Sequence, residues 1–127
     1  VRYRLTAPAL DCGICHCQTC RRVSSAPDLP FAQFAASAFT LMRGYPKSYH
    51  SSAQVTRTFC RDCGSPLTYR HMGKPDRLDV MICSLDDPEA LTPTYRVWTS
   101  HKPSWAAIDA LPAFATTRQA PQAQAQS

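Results

Sequence analysis

The sequence has no apolar run approaching the ~20 residues needed to cross a bilayer, and its basic opening, Val1-Arg-Tyr-Arg-Leu-Thr6, leads into no apolar stretch of the kind a signal peptide carries. A soluble, cytoplasmic protein is expected. Aromatic residues make up only 9% of the chain while proline occurs 11 times, a balance that favours a core of short strands over long helices. There is no internal repeat. No basic run is longer than Arg21-Arg22, and a net charge of +5 is modest for a phosphate binder, which disfavours nucleic acid as partner. The first residue is Val rather than Met, which suggests a chain that was processed, trimmed or started at an unusual codon. At 127 residues the chain fits one domain of the usual ~100 to 200 residues, and a single compact domain without a separate cofactor module is expected.

What is present is unevenly spread. Residues 1 to 75 hold ten Lys/Arg against three Asp/Glu, whereas residues 76 to 127 hold four against six. The basic half also carries most of the cysteines, so its charge reads as an offset for metal-bound thiolates or as a receiver for a small anion. Val1 to Thr6 alternates as a strand does. Phe39 to Arg43, Tyr45 to His50, Val55 to Cys60, Leu67 to His71 and Leu78 to Cys83 are further short runs between Pro, Gly and Ser, spaced as in antiparallel β structure. Phe31 to Ala36 is a strand or a short apolar turn, and Tyr95 to Thr99 is one more candidate strand. Cys12 to Ser25 reads as a thiol-rich loop with one helical turn after Cys20. Residues 115–127, polar and rich in Gln and Ala, have nothing to bury and are expected to be a disordered tail after a single domain spanning 1–114.

The seven cysteines, at 12, 15, 17, 20, 60, 63 and 83, are the strongest signal. Their odd number and the C-x-C spacing argue against a disulfide framework and for metal ligation. Cys60-Arg-Asp-Cys63-Gly64 has the form of a zinc knuckle, with the glycine permitting the tight turn. Cys15-His16-Cys17-Gln-Thr-Cys20 offers three thiols within six residues, enough for an open zinc site with a vacant fourth position. Spacing leaves an alternative standing, in which Cys17 and Cys20 join Cys60 and Cys63 in a closed four-cysteine ribbon and Cys15 is a spectator. That site would make the protein a zinc-stabilised binding module for nucleic acid or a protein. His16, between two ligands, is assigned to supporting or solvent contacts. Cys83 reads as a buried small hydrophobe and Cys12 as a spare ligand or redox-sensitive neighbour. Tyr95, Trp98 and Trp105 read first as core residues and second as walls of a ligand cleft.

Taken together, Val1-Arg2-Tyr3, Cys15-His-Cys-x-x-Cys20-Arg21-Arg22, Tyr49-x-Ser51-Ser52, Arg57-x-Phe59-Cys60-x-x-Cys63-Gly64-x-Pro66-Leu67, Ser84-Leu-Asp-Asp-Pro-Glu89 and Trp98 resemble the glutathione-dependent formaldehyde-activating enzyme family, which includes the centromere protein V branch. The likeness runs from Val1 to about Phe114. It implies a mainly β, antiparallel β-tent fold with zinc knuckles and little helix. It also implies a carbon-sulfur lyase that joins glutathione, or a similar small thiol, to formaldehyde or another small electrophile. Cys15, Cys17 and Cys20 would then hold the catalytic zinc, while Cys60 and Cys63 would help hold a structural one. In the family the remaining structural ligands come from a C-x-C-G segment just before the Val-Arg-Tyr match, and this sequence starts at Val1. Arg21 and Arg22 are the candidates to offset the thiolates or to meet the carboxylates of glutathione. No general base stands out, His16 and His71 being the candidates.

Overall fold

A computed structural model describes residues 1–106 and 110–118. It holds two sheets and one α-helix, and the main sheet is set by strands whose apolar residues recur every second position. In chain order the elements are β1 (Arg2–Leu5), β2 (Asp11–Cys15), α1 (Gln18–Ser24), β3 (Leu29–Ala35), β4 (Phe39–Arg43), β5 (Lys47–Ser52), β6 (Val55–Phe59), β7 (Pro66–His71), β8 (Arg77–Met81) and β9 (Arg96–Val97). β1 and β4 form an antiparallel pair, and the other seven strands are ordered β5-β6-β7-β8-β3-β2-β9. Every neighbour in that sheet is antiparallel except β9, which runs parallel to β2. The architecture is mainly β, as expected.

Period-two alternation gives the large sheet two different faces. Ala32 pairs with Val80 and Phe34 with Leu78, and these residues, with Ala38 and Ile82, make the main apolar cluster. Tyr3, Leu5 and Phe39 of the small sheet cover it. Burying each of its larger side chains contributes about 1.5 to 3 kcal/mol. On the opposite face Phe31 pairs with Met81, Gln33 with Asp79, Asp79 with Tyr69 and Tyr69 with Arg57. Cys15, Cys20, Leu29 and Met81 form a second buried cluster on that side.

Several local expectations change. Asp11–Cys15 is a strand rather than a loop, because it pairs with Leu29–Gln33, and the helix opens at Gln18, before Cys20. Gly13 lets β2 accept the Tyr95 ring: a β-carbon there would lie 2.7 Å from the ring. Cys83 is exposed rather than buried, since β8 ends at Met81 and the chain turns through a 3-10 segment, Ile82–Ser84. Trp98 and Trp105 are exposed rather than core residues, each at 58%. Tyr95–Thr99 reduces to the two-residue β9. Of the expected tail, residues 115–118 are exposed and 119–127 lie outside the described residues. Among the described residues no helix is long and apolar enough to cross a membrane.

Candidate metal centre

Three consecutive pieces of backbone bring Cys15, Cys17 and Cys20 together. Cys15 ends β2, Cys17 is the N-cap of α1, and Cys20 lies in the first turn of the helix. The Cys17 amide donates to Cys15 Sγ at 3.5 Å, and the Cys20 amide donates to Cys17 Sγ at 3.3 Å. Such contacts favour thiolates. The three Sγ atoms all lie within 4.8 Å of one another. Zn–S bonds of about 2.3 Å in a tetrahedron need sulfurs about 3.8 Å apart. A soft, all-sulfur donor set this close to that spacing fits zinc, with three protein ligands and one position left over.

The cation beside these thiols is Arg57, not either arginine of α1. Arg57 is buried; its Nη2 lies 3.7 Å from Cys20 Sγ, its Nε donates to Ser51 Oγ at 3.2 Å, and its guanidinium lies 5.0 Å from the Tyr69 ring centre. A hydrogen bond from Cys15, helped by Arg57, draws the Cys20 thiol down to about 6 and pushes Cys15 up. The thiols floor a cleft of about 160 Å³ walled by Leu29, Phe31, Val97 and Trp98. Asp79 also lines it, its carboxyl pushed up to about 6, chiefly by burial.

Arg21 and Arg22 line a different cleft, of about 420 Å³, with Pro103 and Trp105. His16 is 1% exposed and lies outside the three-sulfur group. Arg96 Nη1 donates to His16 Nε2 at 3.0 Å; arginine can only donate, so the ring's hydrogen is on Nδ1. Buried support, rather than solvent contact, is its place. Cys12 packs against the main apolar cluster.

Cys60 and Cys63 sit apart from the other thiols, in a cleft of about 560 Å³ with Val1, Tyr3 and Leu85. Their turn has knuckle geometry, with Gly64 at φ +78° and the Gly64 amide donating to the Cys60 carbonyl at 2.7 Å. The backbone N–H groups of Cys63 and Asp62 lower the Cys60 thiol to about 7. The Val1 amino nitrogen lies 3.6 Å from Cys60 Sγ. Among the described residues the four-cysteine ribbon is not formed, because the close donor group contains only Cys15, Cys17 and Cys20.

Sequence reasoning missed Arg57 as the thiols' counter-ion and Asp79 as a wall of the cleft. The one available signal was a charged residue two positions from Val55 in a strand, on the face that Val55 buries.

Residues 1–101 match the family described as glutathione-dependent formaldehyde-activating enzyme. A protein of Schizosaccharomyces pombe named as an uncharacterised lyase is 34% identical over 64 residues, 50% of this chain and 44% of the relative's length. A Rhodobacter sphaeroides protein of known crystal structure shares the fold, with a TM-score of 0.59 over 75% of this chain and 90% of its own, at 21% identity.

Proposed function

Because this chain belongs to the glutathione-dependent formaldehyde-activating enzyme family, we propose that it is a carbon-sulfur lyase that holds zinc through Cys15, Cys17 and Cys20. It forms or cleaves the adduct of a small thiol, glutathione or a relative, with formaldehyde or another small electrophile. The observation that carries this reading is the three-thiol donor set at the floor of a cleft, with a buried arginine against it.

In the forward direction the substrate sulfur attacks the aldehyde carbon. The C–S bond forms, the carbonyl π pair moves to oxygen, and that oxygen takes up the proton the thiol gave away. Zinc, when bound, supplies a Lewis acid that keeps a sulfur ligand as thiolate at neutral pH. The chain's residues supply the rest. Arg57 offsets the excess negative charge of a zinc held by thiolates. Leu29, Phe31, Val97 and Trp98 keep water from the reacting atoms. Asp79, with its proton affinity raised toward neutrality, holds the travelling proton on its carboxyl oxygen.

Cys60 and Cys63 are proposed as two ligands of a second, structural zinc within a β-tent fold spanning residues 1–114. In the family the remaining ligands of that zinc come from a C-x-C-G segment.

The test is zinc per chain by elemental analysis. Cys15→Ala should remove the thiol-binding zinc, while Cys60→Ala/Cys63→Ala should leave it in place. Zinc that depends on Cys60 and Cys63 but ignores Cys15 would overturn the reading.

A further inference from the structure

We propose that a second, cationic cleft continues the thiol cleft and seats the carboxylate end of the substrate, so that the site selects thiols bearing an anionic group. This rests on the thiol-binding reading above and extends it to substrate class. The second cleft, about 370 Å³, is lined by His71, Lys74 and Arg77, and it shares Tyr69 and Asp79 with the thiol cleft.

The sharing follows from the alternation of the strands. His71 lies two residues beyond Tyr69 on β7, and Arg77 two residues before Asp79 on β8. All four therefore face the side of the sheet that carries Phe31, Met81 and Cys15. Lys74 comes from the turn joining the two strands.

The donors are available. His71 Nδ1 accepts the Gly73 amide at 2.9 Å, which leaves Nε2 to carry the hydrogen and donate. Arg77 meets Asp76 through Nε alone, at 3.5 Å, which leaves its terminal nitrogens for a bidentate carboxylate. Asp79, with Tyr69, lines both clefts and marks their junction.

Size points the same way. The thiol cleft, at about 160 Å³, is smaller than the ~300 Å³ at which small-molecule sites begin, and it admits little more than a thiol arm. With the adjoining cleft the site reaches the range that suits a peptide-sized thiol. The other two large clefts, with Arg21 and Arg22 and with Cys60 and Cys63, share no lining residue with it.

Calorimetric titration of the zinc-loaded full chain tests the proposal, with glutathione as the anionic thiol and 2-mercaptoethanol as the neutral one. In Lys74→Glu/Arg77→Glu the dissociation constant for glutathione should rise by about tenfold or more, the reach of one or two charge-assisted contacts. That for 2-mercaptoethanol should stay as in the parent. Equal weakening of both thiols, unchanged glutathione binding, or a selective loss in Arg21→Ala/Arg22→Ala instead would each overturn the subsite while leaving the thiol site standing. Failure of the parent to bind either thiol would overturn the thiol site and the subsite with it.

Discussion

Arg57 and Cys20, 37 positions apart in the chain, meet with the guanidinium Nη2 3.7 Å from the sulfur. The contact matters for the proposed zinc site, where three thiolates around a divalent ion would leave one surplus negative charge in the cleft. Arg57→Met keeps much of the bulk and removes the cation. Metal affinity, measured by competition with a chromophoric chelator, should fall about 10- to 100-fold, as when groups that support metal ligands are lost. Arg57→Lys should recover part of it, since the charge returns without the planar fork that spans Cys20, Ser51 and Tyr69. An affinity indifferent to both changes would remove Arg57 from the site.

Gly13 and Tyr95 are in close van der Waals contact, so Gly13→Val drives a branched side chain into the ring. The overpacking should lower stability by about 1 to 3 kcal/mol in urea unfolding. It should also raise the reactivity of the cleft thiols toward a disulfide reagent, because Tyr95 anchors the segment that carries Val97 and Trp98. A variant as stable as its parent would mean that the segment is not fastened there.

Asp79 gives a pH signature. Burial raises its carboxyl from 3.8 to about 6; the charges of Asp11 and Cys20 add to the rise, while Gln33 and Arg57 oppose it. The folded chain therefore binds this proton more tightly than the unfolded chain. The contribution favours folding below pH ~4 and is lost as pH rises through about 6, after which it is level. Relative to the parent, Asp79→Asn should gain stability between pH 4 and 8, by up to about 3 kcal/mol before solvent screening. Denaturation curves at three pH values measure it, and a difference that does not change with pH contradicts the assignment.

Trp98 is exposed yet forms part of the thiol cleft's wall. Trp98→Ala should leave zinc content unchanged and weaken small-thiol binding several-fold. In the parent, indole fluorescence should shift as thiol is added, and no shift would place the ligand elsewhere.

The strands from Phe39 onward are readable in the sequence because alternation and Pro, Gly and Ser punctuation mark them directly. Cys12–Cys15 is not readable as a strand: cysteine and glycine carry little β signal, and the partners that order it, Leu29–Gln33 and Tyr95, lie far along the chain. The start of α1 is hidden for a related reason, since its cap is a cysteine where Ser, Thr, Asn or Asp is usual. The three clustered thiols announce themselves by spacing alone. Their counter-ion does not, because adjacency in sequence draws attention to Arg21 and Arg22, whereas strand pairing delivers Arg57. Cys83 misleads because the apolar run continues past the strand that buries it.

The two-residue strand β9 bears on how quickly ligands come and go. The Ile14 and His16 amides hold it through the Tyr95 and Val97 carbonyls, at 2.9 and 3.0 Å. The other six strands of the sheet keep their five pairings if that short edge lifts away, so opening disturbs little else. The three clustered thiols on β2 and α1 would stay in place while Val97 and Trp98 swing clear. Hydrogen exchange at Ile14 and His16 would then count these openings, and their frequency would set the upper bound on turnover.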